Sequence, residues 1–344
     1  MKKQNALLIA LLVFAVVLAG CSSPGVNTTI PEEATAKSTV ATTQDSLPII
    51  DADSDGIKDS IENQLIESFV PIVKFHPQEQ YLPANVPWYL SRARMRYNVN
   101  RGFDDKIIEK GTLNLTNLIT QTCQGQPSGL CETTTEFFLE ATDKNGGDAL
   151  DDYRKETRKG TDSSNWVCYA HVRPSPSTPE MCDIQYIFLY AYNGSIISEP
   201  VQSAHEADFE HITVRVEKDL KTVYGIYYAA HDGEGKWYKI ASAGQGGYTL
   251  NGGRPVVYSA VDSHASYPNA GKWLRKLMPD DVTEDGGPVW DCQKNVINLG
   301  EKSHPCLNMQ WIQYSGRWGE IGEASWTCGP YGPAYQNWWN ADPE

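Results

Sequence analysis

Two stretches of this sequence bring oxygen and nitrogen donors close enough together to hold a metal ion. In the first, Asp51-Ala-Asp53-Ser-Asp55-Gly56-Ile57-Lys58-Asp59-Ser-Ile-Glu62, the carboxylates of Asp51, Asp53, Asp55, Asp59 and Glu62 stand at the spacing of a Ca2+ loop. The Ile57 carbonyl is a further ligand and Gly56 takes the sharp turn. In the second, which runs from Ser203 to Val216, His205, Asp208 and Glu210 place one imidazole and two carboxylates within a few residues of one another. That donor set suits a divalent cation such as Mg2+ or Ca2+. If the ion activates a water, His264 and Glu206 are the candidate catalytic groups for handling the proton.

The second stretch alternates, with Ile212, Val214 and Val216 on one face and His211, Thr213 and Arg215 on the other, the period of a half-buried strand. Carried back along the strand, the apolar face continues as Glu210, Asp208 and Glu206, so carboxylates enter on the side that packs inward. Buried together they repel, and the remedies are a shared proton, a basic side chain or a metal ion. Parity equally allows a strand that has just left a loop, with its first residues solvated. No amphipathic helix precedes Asp51, so the first stretch is a solitary loop of the extracellular kind, with affinity on the order of 0.1 to 1 mM. It fixes the joint between a tether and a folded domain, and a short helix from Ile61 to Phe69 leaves it.

Alternating segments recur at Asp183 to Tyr192, Thr222 to Ala230, Lys236 to Ser242, Pro255 to Asp262 and Met309 to Tyr314. They predict an all-β domain, an antiparallel β-sandwich with a few short helices and long loops. A helix is expected from Asn269 to Met278, and Leu118 to Arg158 reads as an acidic insertion of loops and short helix. The expected organisation is a signal peptide over 1–20, a disordered tether over 21–49, the calcium loop and short helix over 50–66, and one sandwich domain over 67–344.

The spacing His205-x-x-Asp208-Phe209-Glu210 resembles the metal-holding motif of the necrosis- and ethylene-inducing peptide-like proteins, secreted β-sandwich toxins. The chain from about Glu67 onward also resembles the vacuolar protein sorting-associated protein 62 family. That resemblance is carried by the segments from Phe69 to Val86, from Asp183 to Gly194, around His205, and Ser263-His264-Ala-Ser-Tyr267-Pro268. It implies that His264 lies beside the His205 motif. Phe209 stands where the toxin motif has Trp, and Ala207 replaces its second His, so toxin activity is not carried over.

Lys2, Lys3, an apolar run from Ala6 to Ala19 and then Leu18-Ala19-Gly20-Cys21 form a lipoprotein signal, with Cys21 as the lipidated residue of an extracytoplasmic, membrane-anchored protein. The tether is rich in Ser, Thr, Ala and Pro and has too few large apolar residues to fold. Of the eight cysteines, Cys21 is taken by lipid. In an oxidising compartment the remainder should mostly pair, and short separations suggest Cys123 with Cys131, Cys168 with Cys182, and Cys292 with Cys306 or Cys328. A formal charge of -14 and a pI of about 5.0, without a basic stripe, exclude nucleic acid as a partner.

Three functions fit these residues. The first is a tethered binding protein whose divalent ion organises loops around a surface glycan or lipid headgroup. The others are a metal-dependent hydrolase acting on a phosphoester or glycoside, and a structural envelope protein.

Overall fold

A run that is apolar at every position must be covered on both faces, and Ile-Phe-Leu-Tyr-Ala-Tyr within Cys182–Asn193 is such a run. In a computed structural model this strand sits near the middle of a six-stranded sheet. The structure describes residues 50–100, 103–120, 137–142, 152–194, 203–239, 247–276, 279–321 and 327–343. Cys21, the signal and tether, Cys123 and Cys131 lie outside them.

The large sheet runs in the order Val296–Asn298, Cys168–Pro174, Cys182–Asn193, His205–Val216, Val223–Tyr228, Lys236–Lys239. All its pairs are antiparallel except the first. On one face its Ile184, Tyr186, Phe188, Ile212 and Val214 pack with Leu65, Phe69, Val73, Phe75, Val257 and Trp290. These partners come from the helix Asp59–Phe69 and from a second sheet built on Ile72–Phe75, Arg254–Ser259 and Val289–Asp291. On the other face Ile187, Leu189, Ala207 and Phe209 pack with Met95, Tyr97, Phe137 and Leu139 of a three-stranded sheet and with Trp311, Trp318 and Trp339. The expected sandwich therefore has a third layer. Among the described residues no helix is long and apolar enough to cross a membrane.

The C-terminal segment closes that third layer over side chains that parity had placed in solvent. His211 stacks on Trp338 at 4.1 Å and His171 on Trp339 at 3.7 Å. Arg215 is buried, with Nε 2.7 Å from Asp183 Oδ1 and Nη2 3.1 Å from Asp342 Oδ1.

Three local expectations are corrected. Of the helix expected from Asn269 to Met278, the described residues 269–276 form none: Gly271–Trp273 pairs with Asp281–Thr283, and Trp273 stacks on Tyr267 at 4.5 Å, so tertiary packing overrides the helical pattern. Met309 to Tyr314 is a 3-10 turn over Gln310–Gln313, because Trp311 and Ile312 are consecutive and both buried, which alternation forbids. Cys168, Cys182, Cys292 and Cys306 are free thiols. Cys168 pairs with Phe188 and Cys182 with Pro174, at opposite ends of one hairpin. At ~3.3 Å per residue they stand roughly 20 Å apart, far beyond the ~7 Å a disulfide can span. Cys292 lies within hydrogen-bonding reach of Cys168 in the first core, whereas Cys306 packs against the second.

Candidate metal and ligand sites

The Asp51 loop is folded around its own backbone amides. Asp51 accepts from Ser54 N at 2.8 Å and Gly56 N at 3.1 Å, Asp55 from Ile57 N at 2.6 Å, and Asp59 from Ala52 N at 2.8 Å. Gly56 takes a φ of 94°, which a side chain would resist. These bonds turn the remaining oxygens inward. Donor atoms of Asp51, Asp53 and Asp59, and of Asp53, Asp55 and Glu62, each gather within 4.8 Å. Both Asp53 oxygens, Asp55 Oδ2 and Glu62 Oε1 are buried without a hydrogen-bond partner. Burial, then the charges of Asp53 and Asp55, push the Glu62 carboxyl up to about 8, and burial heads the causes that push Asp55 up to about 6. Orphaned carboxylates of one sign fit a hard divalent cation, and this acidic cluster could hold one.

The central strand solves the same problem differently. Glu210 and Asp208 do continue the inward face, opposite Phe188 and Tyr190. Glu206 does not, because Ala207 adopts a φ of 52° and breaks the alternation. Glu206 instead accepts from the amides of Ala141 at 2.9 Å and Glu320 at 2.9 Å, and from Thr142, on the far side of the sheet. Burial nevertheless raises its carboxyl to about 7, against the Thr142 amide.

Asp208 Oδ2 lies 3.0 Å from His264 Nδ1 and 3.0 Å from Asn193 Nδ2. His264 Nε2 lies 3.0 Å from the Tyr81 carbonyl and 3.7 Å from Glu79 Oε1. With a carbonyl at one ring nitrogen and a carboxylate at the other, both nitrogens donate, so the ring is an imidazolium. Burial opposes that charge, but Glu79 and Asp208 outweigh it and raise the pKa to about 10. Tyr190 stacks on the ring at 3.8 Å. Glu79 also accepts from the amides of Tyr81 at 2.8 Å and Asp262 at 2.9 Å.

Glu210 is left over. It is half-buried, and among the described residues no hydrogen-bond donor reaches it. Burial, then the charges of Asp208 and Asp281, push its carboxyl well above the usual range. Asp281 is itself satisfied by His231 Nε2 at 2.6 Å, Tyr267 OH at 2.6 Å and Ser263 OH at 2.8 Å. Three further backbone-strained residues, His231, Asp262 and His264, carry positive φ around this site. His205 turns its Nδ1 to within 2.7 Å of the Ala207 carbonyl, and His205, Asp208 and Glu210 do not gather as the loop carboxylates do. As placed, these three donors do not form a cation cage. Sequence reading missed Glu79, Asp281 and His231, which lie far from the motif in the chain and carry no local signature.

The sequence model of the vacuolar protein sorting-associated protein 62 family matches residues 57–322, more than half the chain. This chain belongs to that family. A relative from Saccharomyces cerevisiae, TDA6, named for vacuolar protein sorting, is 24% identical over 195 residues, covering 45% of this chain and 41% of the relative. The chain thus spans well under half of that family member's length. Solved structures similar to this chain include necrosis and ethylene inducing protein 2 from the agent of cocoa's witches' broom disease, with TM-score 0.34 and 14% identity over 77% of this chain and 83% of that one. Another is NLPPya in complex with mannosamine, with TM-score 0.39 and 12% identity over 86% and 93%. Likenesses this remote carry nothing about ligands to this vacuolar protein sorting-associated protein 62 family member.

Proposed function

We propose that this protein is a lipid-anchored, extracytoplasmic binding protein whose Asp51 loop holds Ca2+ and whose Glu210 site recognises a surface glycan or lipid headgroup. The observation that carries the binding reading is the carboxylate of the half-buried Glu210, beside Asp208 and Asp281, and reached by no donor among the described residues. Such a group attracts positive charge. Tyr227 and Tyr267 are close enough to feel its charge, and the half-buried Tyr227 offers aromatic surface for a sugar ring. The positive charge comes with the ligand, as the ammonium of an amino sugar, or as Mg2+ or Ca2+ bridging carboxylate and hydroxyls. Binding is preferred to hydrolysis because His264 is held between Asp208 and Glu79, and Glu206 is fully buried on the far side of the sheet against the amides of Ala141, Thr142 and Glu320.

The test is calorimetric titration of the full chain with glucosamine and with glucose, metal-free and then with Ca2+ or Mg2+, in wild type and Glu210→Gln. Tighter binding of glucosamine than glucose without metal, abolished by Glu210→Gln, supports direct recognition. Binding of both sugars only with metal, again lost in Glu210→Gln, supports the bridging ion. Equal heats in wild type and Glu210→Gln would sink the reading.

A further inference from the structure

Gln80, Tyr81, Lys155, Arg158 and Lys159 line a cleft of about 380 Å³. Its charge runs against that of the chain, whose formal net charge is -14. The cations are grouped by local structure: the helix Asp152–Arg158 puts Lys155 and Arg158 three residues apart on one face, and Lys159 follows directly. Arg158 is buried, with its guanidinium 4.0 Å over the ring of Tyr192, which in turn meets Tyr81 edge-on at 5.0 Å. That stack fixes one wall.

The two sides of the cleft are also joined through the backbone. Leu82 N donates to the Lys159 carbonyl at 3.1 Å and Thr161 N to the Pro83 carbonyl at 3.1 Å. Gly160 makes this approach possible: its φ is 76°, and a Cβ there would stand 1.9 Å from the Leu82 carbonyl oxygen. Lys155 is exposed and has no ion pair among the described residues. Lys159 is held by Glu156 at 2.5 Å, both side chains more than half exposed, so solvent screens the pair and a ligand competes with it at small cost.

We propose that this cleft binds a phosphate group carried on a sugar or other polyol ring. Lys155 and Lys159 supply ammonium donors to the phosphate oxygens, Arg158 adds fixed positive charge, and Gln80 and Tyr81 face the ring hydroxyls and the ring itself. The same phosphate chemistry is present on a soluble sugar phosphate and on a phosphoinositide headgroup. Glu210 does not line this cleft, and the two sites are opposite in charge preference.

The test uses the full chain and Lys155→Glu/Lys159→Glu, two exposed changes that should leave the melting temperature without ligand unchanged. Each is titrated with inorganic phosphate, glucose 6-phosphate and glucose, and mixed with phosphatidylcholine vesicles with or without phosphatidylinositol phosphate. The expected result is that glucose 6-phosphate binds more tightly than inorganic phosphate, that glucose does not bind at this cleft, and that the double variant weakens phosphate binding at least tenfold. Vesicle binding that requires the phosphoinositide and is lost in the variant identifies a lipid source. Binding of glucose 6-phosphate without vesicle binding identifies a soluble one. If neither phosphate nor phosphoinositide binds, or if the double variant binds like wild type, the proposal is wrong. Glu210→Gln should not affect these titrations, so this test and the Glu210 test fail independently.

Discussion

The Asp51 loop and the Glu210 site both bury carboxylates together, yet only one contains its own counter-charge. In the loop, backbone amides satisfy part of Asp51, Asp55 and Asp59, and the oxygens that remain face one another without a base. In the central site, the imidazolium of His264 stands between Glu79 and Asp208 and neutralises half of their charge. The comparison shows how the source of positive charge decides what an acidic cluster does. Where the fold supplies none, the cluster could hold an ion. Where the fold supplies part of it, one carboxylate is left without a donor among the described residues.

The most severe way to break the comparison is to remove the internal cation. His264→Ala leaves Glu79 and Asp208 buried and unpaired, and breaking such a pair costs about 3 to 5 kcal/mol, to be read from urea unfolding. The same group sets a pH dependence. Its folded-state pKa, about 10, lies above the ~6.5 of an unperturbed histidine. Its stabilisation is therefore complete below about pH 6.5 and is lost as pH rises through the folded value. Wild type should lose stability over that alkaline window, and His264→Gln should lack this component.

Removing the external cation should have the next largest effect. Chelation of Ca2+ supplied at a hundredfold over its Kd should cost about 2.7 kcal/mol, seen as a fall in melting temperature. Glu62→Gln should invert the order, stabilising the chelated protein by relieving repulsion and destabilising the calcium-loaded one. An equal melting temperature with and without Ca2+ would make the two clusters alike after all.

Smaller changes sharpen the contrast. Glu210→Gln removes a carboxylate that burial and its acidic neighbours already disfavour, so it should leave stability unchanged or raise it by up to about 1 kcal/mol, while removing ligand binding. Ala207→Gly relieves a left-handed φ at a cost in unfolded-state entropy, for a net gain of under about 1 kcal/mol.

Much of this contrast could be read in the sequence where the chemistry is local. The Asp51 loop declares its acidic cluster within twelve residues because a tight turn has to carry the carboxylates in order, and the alternation from Asp208 to Val216 placed Asp208 and Glu210 correctly. Parity failed one step earlier, at Ala207, since a left-handed residue other than glycine leaves no mark in a hydrophobic pattern. Glu79 and Asp281 could not be read as partners of the site, because only the tertiary fold brings them there. The polar face of His211, Thr213 and Arg215 looked solvated, since nothing near those residues announces that Trp338, Trp339 and Asp342 return to cover them.

That returning segment also sets the order in which the protein can mature. Asp183 answers part of the Arg215 charge from the neighbouring strand, but Asp342, 127 residues further along the chain, and the tryptophans that cover His171 and His211 are made after the sheet itself. Until they arrive the large sheet has a bare face and an incompletely paired guanidinium, so its closure waits for that later segment to be synthesised.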